Sequence, residues 1–311
     1  MRVITQKQVG EASEVLEVAE VPLPEPGYGQ VLVKMEAAGV NPVDFAVSAG
    51  YYPLLGEPPF TLGWDVAGTV EAVGSGVSRF SPGDRVFGMS AFPAEGSTHA
   101  EYVLVSANEL AFRPDALGAK EAGALPLAGL TAYQALAGTA RLQPGQRVLI
   151  HRAAGGVGHL AVQIAKALGA HVIATASGAK HEFVRSLGAD EVIDYTTTDY
   201  TEVLSDLDVV FDLVTGENGP RSASVLKKGG ILVSALPGNM GLDHDEAAAL
   251  GIRLESVHVR PSVHDLERLA ELAERGELRV RLDGEFPLAD AAKAYSLAGS
   301  GQVTGKIVLV P

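Results

Sequence analysis

The stretch from residue 147 to residue 177 constrains the fold of this chain more than any other part of it. It reads RVLIHRAAGGVGHLAVQIAKALGAHVIATAS: two short apolar runs enclose a glycine-rich turn and a segment whose apolar residues recur at helical spacing. Buried parallel strands need such apolar runs, and strand, turn, helix and strand in about 30 residues form one βαβ unit. The pattern therefore predicts the first half of a dinucleotide-binding domain.

The glycine turn of this unit predicts where a pyrophosphate group binds. Gly155 lets the backbone approach the phosphates, and Gly158 lets the new helix pack closely on the sheet. The amino end of a helix attracts anions because its first N–H groups have no partner within the helix. Ala153 replaces the first glycine of the G-x-G-x-x-G pattern, so a turn that binds nothing is the alternative. We predict that the pyrophosphate lies against Ala154, Gly155, Gly156 and Val157.

The residues that follow the second strand of this unit distinguish an NADPH site from an NADH site. An NAD site has an acidic side chain there for the ribose hydroxyl. Here the chain continues from Thr175 without a carboxylate before Glu182. The hydroxyl of Ser177 and the ammonium of Lys180 suit a 2′-phosphate, so we predict NADPH as the cofactor. The alternative for Lys180 is a solvated lysine at the start of a helix.

The rest of the second half continues the same architecture. Apolar strand patterns recur at four places with helical segments between them, namely at residues 191–195, 208–213, 230–234 and 252–257. Such an alternation predicts an α/β fold with a doubly wound sheet, whose ligands bind beyond the carboxyl ends of the strands. This rule adds Tyr195, Val214 and Leu236 to the predicted cofactor site. A strand-end tyrosine without a ligand is the alternative for Tyr195.

The first 115 residues read as many short strands separated by proline and glycine turns. Residues 81–84, Ser-Pro-Gly-Asp, predict a type II turn, and residues 15–18 predict a strand. Short strands between such turns indicate a barrel-like β domain. The apolar strand at 305–310 needs a partner, and this domain is the predicted host. We therefore predict one domain from 1–117 with 259–311, and a dinucleotide-binding domain inserted at 118–258.

Composition excludes several classes of function. The 311 residues suffice for two domains with cores, and the formal net charge of −14 argues against nucleic acid and against anionic membranes. The chain has no cysteine, which excludes disulfides, a cysteine nucleophile and zinc–thiolate sites. It also shows no signal peptide and no apolar segment fit to span a membrane. We predict a soluble cytoplasmic protein that acts on a small molecule.

Six motifs in order resemble one known family. They are EAAGVNPVD at 36–44, LGWDVAGTV at 62–70, GDRVFG at 83–88, LPLAGLTAY at 125–133, AAGGVG at 153–158 and GKIVL at 305–309. Together they resemble the zinc-independent quinone oxidoreductase (zeta-crystallin-like) branch of the medium-chain dehydrogenase/reductase superfamily, over nearly the whole chain. The resemblance implies a GroES-like catalytic domain, a Rossmann domain and a homodimer in which residues 252–257 extend the sheet across a twofold axis.

The resemblance also implies that no metal takes part. Zinc-dependent alcohol dehydrogenases of the superfamily have a cysteine where this chain has Asn41, and a histidine and a glutamate where it has Trp64 and Asp65. Those replacements remove the Lewis acid that polarises an alcohol or carbonyl oxygen. What remains is hydride transfer to an acceptor that is already electron-poor, namely a quinone or an α,β-unsaturated carbonyl compound.

The resemblance implies three residues at the reacting groups: Asn41 near the nicotinamide or the substrate, Thr131 near the nicotinamide, and Tyr52 in the substrate pocket. From the residues alone, Asn41 before a proline is equally a turn residue, and Tyr52 is equally a surface tyrosine. Two alternative functions stay open. One is a reductase for a single enone or enal of one pathway, and the other is an NADPH-binding module with little turnover. The three intact polar residues favour an enzyme.

Overall fold

A computed structural model describes residues 1–214, 216–236 and 240–311 of the chain. Its strands in chain order are β1 (Arg2–Gln6), β2 (Glu17–Glu20), β3 (Gln30–Val40), β4 (Phe60–Thr61), β5 (Asp65–Val73), β6 (Arg85–Met89), β7 (Tyr102–Ser106), β8 (Leu110–Phe112), β9 (Arg147–Ile150), β10 (His171–Ala176), β11 (Glu191–Asp194), β12 (Leu207–Asp212), β13 (Leu226–Ser234), β14 (Arg253–Ser256), β15 (Leu282–Pro287) and β16 (Lys306–Val310).

The α-helices are α1 (Ala12–Val15), α2 (Pro42–Ser48), α3 (Ala119–Ala124), α4 (Pro126–Tyr133), α5 (Gly158–Ala167), α6 (His181–Ser186), α7 (Tyr200–Val203), α8 (Asn218–Ser224), α9 (His244–Leu250), α10 (Val263–Glu274) and α11 (Ala291–Gly299). A π-helix continues α4 over Gln134–Thr139, and 3₁₀ turns lie at Ala107–Glu109, Gly178–Lys180 and Leu288–Asp290. Within the described residues, no helix has both the length and the apolar character that a membrane span requires.

The chain divides into two compact units. One contains Met1–Leu130 and Arg260–Pro311, and the other contains Thr131–Val259. The sequence analysis placed residues 118–130 in the dinucleotide-binding domain, whereas helix α3 lies with the first unit. Its Gly123 lies directly against β3, because a Cβ atom there would be 2.6 Å from the carbonyl oxygen of Ala37. That close approach ties the helix to the β-rich unit.

The first unit contains a seven-stranded sheet and a three-stranded sheet. The larger sheet runs β15-β16-β3-β5-β6-β8, with β7 also paired to β3, and the smaller runs β2-β1-β4. The terminal strand β16 pairs antiparallel with β3, with Ile307 opposite Val40, which confirms the predicted host domain. This pairing brings the start of β16 beside the end of β3, although Lys306 and Val40 are 266 residues apart in the chain.

The turn predicted at residues 81–84 is present, whereas the strand predicted at residues 15–18 begins later than expected. Gly83 has φ +95° and the N–H of Asp84 donates to the carbonyl of Ser81 at 3.1 Å, as a type II turn requires. The predicted strand at residues 15–18 is wrong by about two residues, because a turn of helix, α1, ends at Val15 and β2 begins only at Glu17. Strand β15 and helix α11 were missed.

The second unit is a doubly wound sheet. Its strand order is β11-β10-β9-β12-β13-β14, and every neighbouring pair is parallel. The chain moves outward from β9 in one direction through β10 and β11, then returns to the other side with β12. The carboxyl ends of β9 and β12 therefore flank the switch point, where ligands of such sheets bind. The predicted α/β fold is confirmed.

Candidate active site

The glycine turn after β9 presents two backbone donors at the amino end of α5. The N–H of Gly155 donates to the carbonyl of Arg152, and that of His159 donates to the carbonyl of Gly155. Within the described parts of the chain, no backbone carbonyl accepts from the N–H groups of Gly156 and Val157, and both residues are partly exposed. Two unpaired donors at the start of a ten-residue helix fit a phosphate group.

The same turn requires a glycine at its last position. A Cβ atom on Gly158 would lie 2.2 Å from the carbonyl oxygen of Arg152, well inside van der Waals contact. The first helical residue thus passes directly over the backbone of the turn. Ala153 and Ala154 are buried, so the alanine that breaks the glycine pattern is accommodated within the turn.

A buried histidine lies beneath the turn and links the strand ends. His151 Nδ1 is 3.0 Å from Thr175 Oγ1, and its Nε2 is 3.2 Å from Ser222 Oγ. Burial lowers the pKa of His151 to about 4, so the ring is neutral at physiological pH. Its hydrogen bonds connect the ends of β9 and β10 to α8. They therefore stabilise the position of the glycine turn relative to these elements.

The predicted 2′-phosphate residues surround the 3₁₀ turn that follows β10. The N–H of Lys180 donates to the carbonyl of Ser177 at 2.8 Å, and both side chains are partly exposed. Tyr195 comes directly after β11 and is 59% exposed, so its ring is available to a ligand. Because Ala176 pairs with Asp194 in the parallel register, these residues lie at neighbouring strand ends.

A carboxylate that the sequence analysis missed reaches this turn from β11. Asp194 accepts hydrogen bonds from Thr196 Oγ1 at 2.6 Å and from Thr196 N at 3.0 Å. A Cβ atom on Gly178 would lie 2.6 Å from Asp194 Oδ2, which places the carboxylate directly against the turn. Hydrogen bonds from Thr196 and from the Gly178 backbone hold the pKa of Asp194 below its usual range. The signal available in the sequence was the place of Asp194 near the end of the predicted strand at residues 191–195.

The two remaining predicted cofactor residues lie on the loops after β12 and β13. The N–H of Val214 donates to Asp212 Oδ1 at 2.8 Å, and that of Leu236 donates to Ser234 Oγ at 3.2 Å. Asp212 and Ser234 are register partners at the ends of their strands. All nine predicted cofactor residues thus follow carboxyl ends of neighbouring strands in one sheet, and their contacts with a cofactor stay predictions.

Asn41 lies in a buried polar cluster at the junction of β3 and α2. Its backbone N–H donates to Asp44 Oδ2 at 2.6 Å, which caps the helix. Its side-chain Nδ2 donates to Asp65 Oδ2 at 2.8 Å, and its Oδ1 accepts a short hydrogen bond from Lys306 Nζ. The second carboxylate oxygen of Asp65, Oδ1, accepts a hydrogen bond from the N–H of Leu127 at 2.7 Å. Lys306 and Asp44 are not among the site residues predicted from the sequence.

Burial shifts the titration of this cluster. It raises the pKa of Asp44 to about 8 and raises that of Asp65, while it lowers the pKa of Lys306. A second buried pair lies nearby in the same unit: Tyr295 Oη is 2.9 Å from Nδ1 of His99, and burial lowers the pKa of His99 to about 4. The interior of the β-rich unit therefore holds charged and polar groups that hydrogen-bond to one another, while Asp44 Oδ1 is buried without a hydrogen-bond partner among the described residues.

The other two predicted catalytic residues differ in exposure. Tyr52 follows α2 in a loop, where its N–H donates to the carbonyl of Ala46 at 3.1 Å, and its side chain is 40% exposed. Asn41 and Tyr52 therefore flank the same short helix. Thr131 lies in α4 and is 5% exposed. Their roles in catalysis stay predictions.

The positions that match zinc ligands in the alcohol dehydrogenases have other structural roles here. Trp64 is fully buried and donates from Nε1 to the carbonyl of Ala94 at 2.7 Å, as a core residue does. Asn41 and Asp65 bond to each other. Over residues 1–214, 216–236 and 240–311, no three His, Asp or Glu side chains are grouped as metal ligands.

Comparison with known proteins identifies the family. Residues 27–125 match the family model for the alcohol dehydrogenase GroES-like domain, and residues 187–309 match that for zinc-binding dehydrogenases. A chloroplast envelope quinone oxidoreductase homolog of Arabidopsis thaliana is 35% identical, with 100% of this chain and 98% of the relative covered.

Solved structures agree on the architecture. The quinone oxidoreductase of Escherichia coli, complexed with NADPH, is 30% identical with a TM-score of 0.91, and both chains are covered completely. A structure described as an NAD-dependent alcohol dehydrogenase is 33% identical with a TM-score of 0.90, again over 100% of both chains. The likeness therefore extends to proteins named for either nicotinamide cofactor. Because the similarity to the Arabidopsis relative extends over nearly the whole length of both proteins, the chain belongs to the quinone oxidoreductase family of the medium-chain dehydrogenase/reductase superfamily.

Proposed function

We propose that the chain is an NADPH-dependent oxidoreductase that reduces a quinone or an α,β-unsaturated carbonyl compound without zinc. The observation that carries the proposal is the side chain at position 41. It is an amide, hydrogen-bonded to Lys306 on one side and to Asp65 on the other, where a zinc enzyme has a metal ligand. An amide donates a hydrogen bond to a developing oxyanion, which is the assistance that an electron-poor acceptor needs.

The proposed mechanism assigns each group a physical task. Bound NADPH supplies a hydride equivalent. The N–H groups of Gly156 and Val157 would hold the diphosphate of the cofactor at the carboxyl end of β9. Asn41 Nδ2 would donate a hydrogen bond to the acceptor oxygen, on which negative charge would develop as the acceptor carbon gained a hydride with its two electrons. Tyr52 or a bound water then supplies the proton that completes the reduction.

The test is a turnover assay with a graded panel of acceptors. NADPH oxidation is followed with quinones, enones and enals, and saturated ketones and aldehydes serve as matched controls. We expect turnover with the electron-poor acceptors and none with the saturated ones, because no Lewis acid activates the latter. Turnover with one enone alone would identify a pathway-specific reductase. Tight NADPH binding without turnover on any acceptor would contradict the proposal and indicate a binding module.

The NADPH preference is tested by Lys180→Ala. Loss of a charge-assisted hydrogen bond to the 2′-phosphate costs about 1.5–3 kcal/mol, so we expect NADPH affinity to fall roughly 10- to 100-fold. NADH affinity, which involves no 2′-phosphate, should stay within about twofold. Binding is measured by nicotinamide fluorescence or calorimetry. Lys228→Ala is the control, because Lys228 is an exposed lysine of the same unit on the amino-terminal half of β13.

Two results would contradict this assignment. An unchanged NADPH affinity in Lys180→Ala would place the phosphate elsewhere. A wild-type preference for NADH would point instead to Asp194, whose carboxylate lies against the same turn and is the kind of group that binds a ribose hydroxyl.

We also propose a cytoplasmic homodimer. Strand β14 lies at the edge of the six-stranded sheet, so its outer side is available to pair with a second copy across a twofold axis. The chain contains no cysteine, a composition compatible with a reducing compartment such as the cytoplasm.

A further inference from the structure

We infer that Lys306 and Asp65 are positioning residues that fix the orientation of the Asn41 amide and strengthen it as a hydrogen-bond donor to the acceptor oxygen. The inference rests on the proposed role of Asn41. It concerns two charged side chains that the sequence analysis gave no role in catalysis, one at the start of β16 and one at the start of β5.

The two charged partners leave the Asn41 amide a single orientation. An ammonium group only donates hydrogen bonds, and an ionised carboxylate only accepts them. Lys306 Nζ must therefore face the amide oxygen, and Asp65 Oδ2 must face the amide nitrogen, at 2.8 Å. A flipped amide would set nitrogen against ammonium and oxygen against carboxylate. The usual ambiguity in the direction of an asparagine side chain is thus removed.

The amide is the link between the two charges. Lys306 Nζ and Asp65 Oδ2 are 3.8 Å apart, longer than a hydrogen bond, whereas each bonds directly to Asn41. Both charged residues are buried, with 3% of Lys306 and none of Asp65 exposed. Burying charges is costly, and a buried ion pair often contributes little net stability over an apolar replacement. The arrangement is better explained by what it does to the amide than by stability.

Rigid elements hold the two charged residues in place. Asp65 begins a strand that is paired on both sides, and Lys306 also donates to the carbonyl of Val40 at 3.0 Å. Gly39 is needed beside them, because a Cβ atom there would lie 2.6 Å from Asp65 Oδ2. Groups on paired strands are positioned more accurately than groups on loops. The orientation of Asn41 is therefore built into the sheet.

The chemistry of the amide follows from this arrangement. An ammonium bonded to Oδ1 draws electron density toward the oxygen, which makes the amide N–H groups stronger donors. Nδ2 carries two hydrogens, and across the described parts of the chain Asp65 alone accepts from it. One polarised N–H remains for a ligand. An oxygen that gains negative charge during hydride transfer is the group it would stabilise.

A double-mutant cycle between Lys306→Met and Asn41→Ala tests the inference. We expect each single variant to lower kcat roughly 10- to 100-fold and the double variant to be no slower than the slower single, because the two groups act as one unit. NADPH affinity should stay within about twofold in all three. Lys120→Met is the matched control, because it removes an exposed lysine of the same unit that pairs with Glu285; its kcat should equal that of the wild type.

The outcomes separate this inference from the proposed function. If Asn41→Ala leaves kcat unchanged, the role proposed for Asn41 is wrong. If Asn41→Ala is slow but Lys306→Met in its folded form turns over normally, or if the two losses multiply, the positioning role is overturned. Should Lys306→Met not fold, Asp65→Asn replaces it, since its amide oxygen still accepts from Leu127 N. The positioning role predicts a slow Asp65→Asn enzyme with a normal NADPH affinity, and normal turnover would overturn it.

Discussion

Replacing Asp65 with alanine is expected to lower the free energy of unfolding by about 3–5 kcal/mol, the range for removing one partner of a buried charged pair. The carboxylate accepts from Asn41 Nδ2 and from the N–H of Leu127, and it is the buried counter-charge nearest to Lys306. Its removal leaves an ammonium and two donors without this acceptor in the protein interior. Urea denaturation followed by circular dichroism measures the loss.

The control for this prediction is Glu285→Ala. Glu285 forms an ion pair with Lys120, and each side chain is nearly half exposed, so water replaces the lost partner. Exposed pairs contribute about 0–1 kcal/mol, and we expect a loss within that range. Equal losses for the two variants would show that the Asp65 cluster is no more important to the fold than a surface pair.

The stability of the protein should fall as the pH rises from about 6.5 to about 8.5, because of Asp44. Burial, with a smaller contribution from the negative charge of Asp65, raises the pKa of this carboxyl from 3.8 to about 8. A group whose pKa is raised by folding stabilises the native state fully below its unfolded pKa, and this contribution is lost as the pH rises through the folded pKa. The largest slope is about 1.4 kcal/mol per pH unit, so the expected loss is on the order of 2 kcal/mol.

Asp44→Asn isolates this effect from other titrating groups. The amide oxygen of the replacement still accepts from the N–H of Asn41, but the side chain no longer titrates. We expect the variant to lose less stability than the wild type over the same pH range, measured by urea denaturation at each pH. Parallel curves for the two proteins would mean that Asp44 does not carry the proton.

The fold could be predicted from the sequence where local pattern and long-range pairing agree. The βαβ unit around Gly155 can be recognised within about 30 consecutive residues, because the strand, the turn and the helix each have a characteristic sequence pattern. The terminal strand at Lys306–Val310 was assigned to the N-terminal domain because an apolar strand needs a partner. The helix at Ala12–Val15 was missed, since four residues are too few to show a helical period.

The candidate site could be predicted only in part. Asn41 was identified by resemblance, but its partner Lys306 lies 265 residues away, and a lysine in a strand is normally read as exposed. Asp194 was missed for a related reason: the carboxylate lies at the end of the neighbouring strand β11 and not at the end of β10. Contacts between side chains from distant segments depend on register, which local patterns do not contain.

Isotopic labelling of the cofactor follows the transferred hydride itself. The protein is incubated with NADPH that carries deuterium in the transferable position at C4, together with an α,β-unsaturated ketone, and the product is examined by mass spectrometry. The proposed function predicts a saturated ketone with one deuterium on the β-carbon, formed at the same rate with and without a strong zinc chelator. A product without deuterium, or turnover that the chelator abolishes and zinc restores, would contradict it.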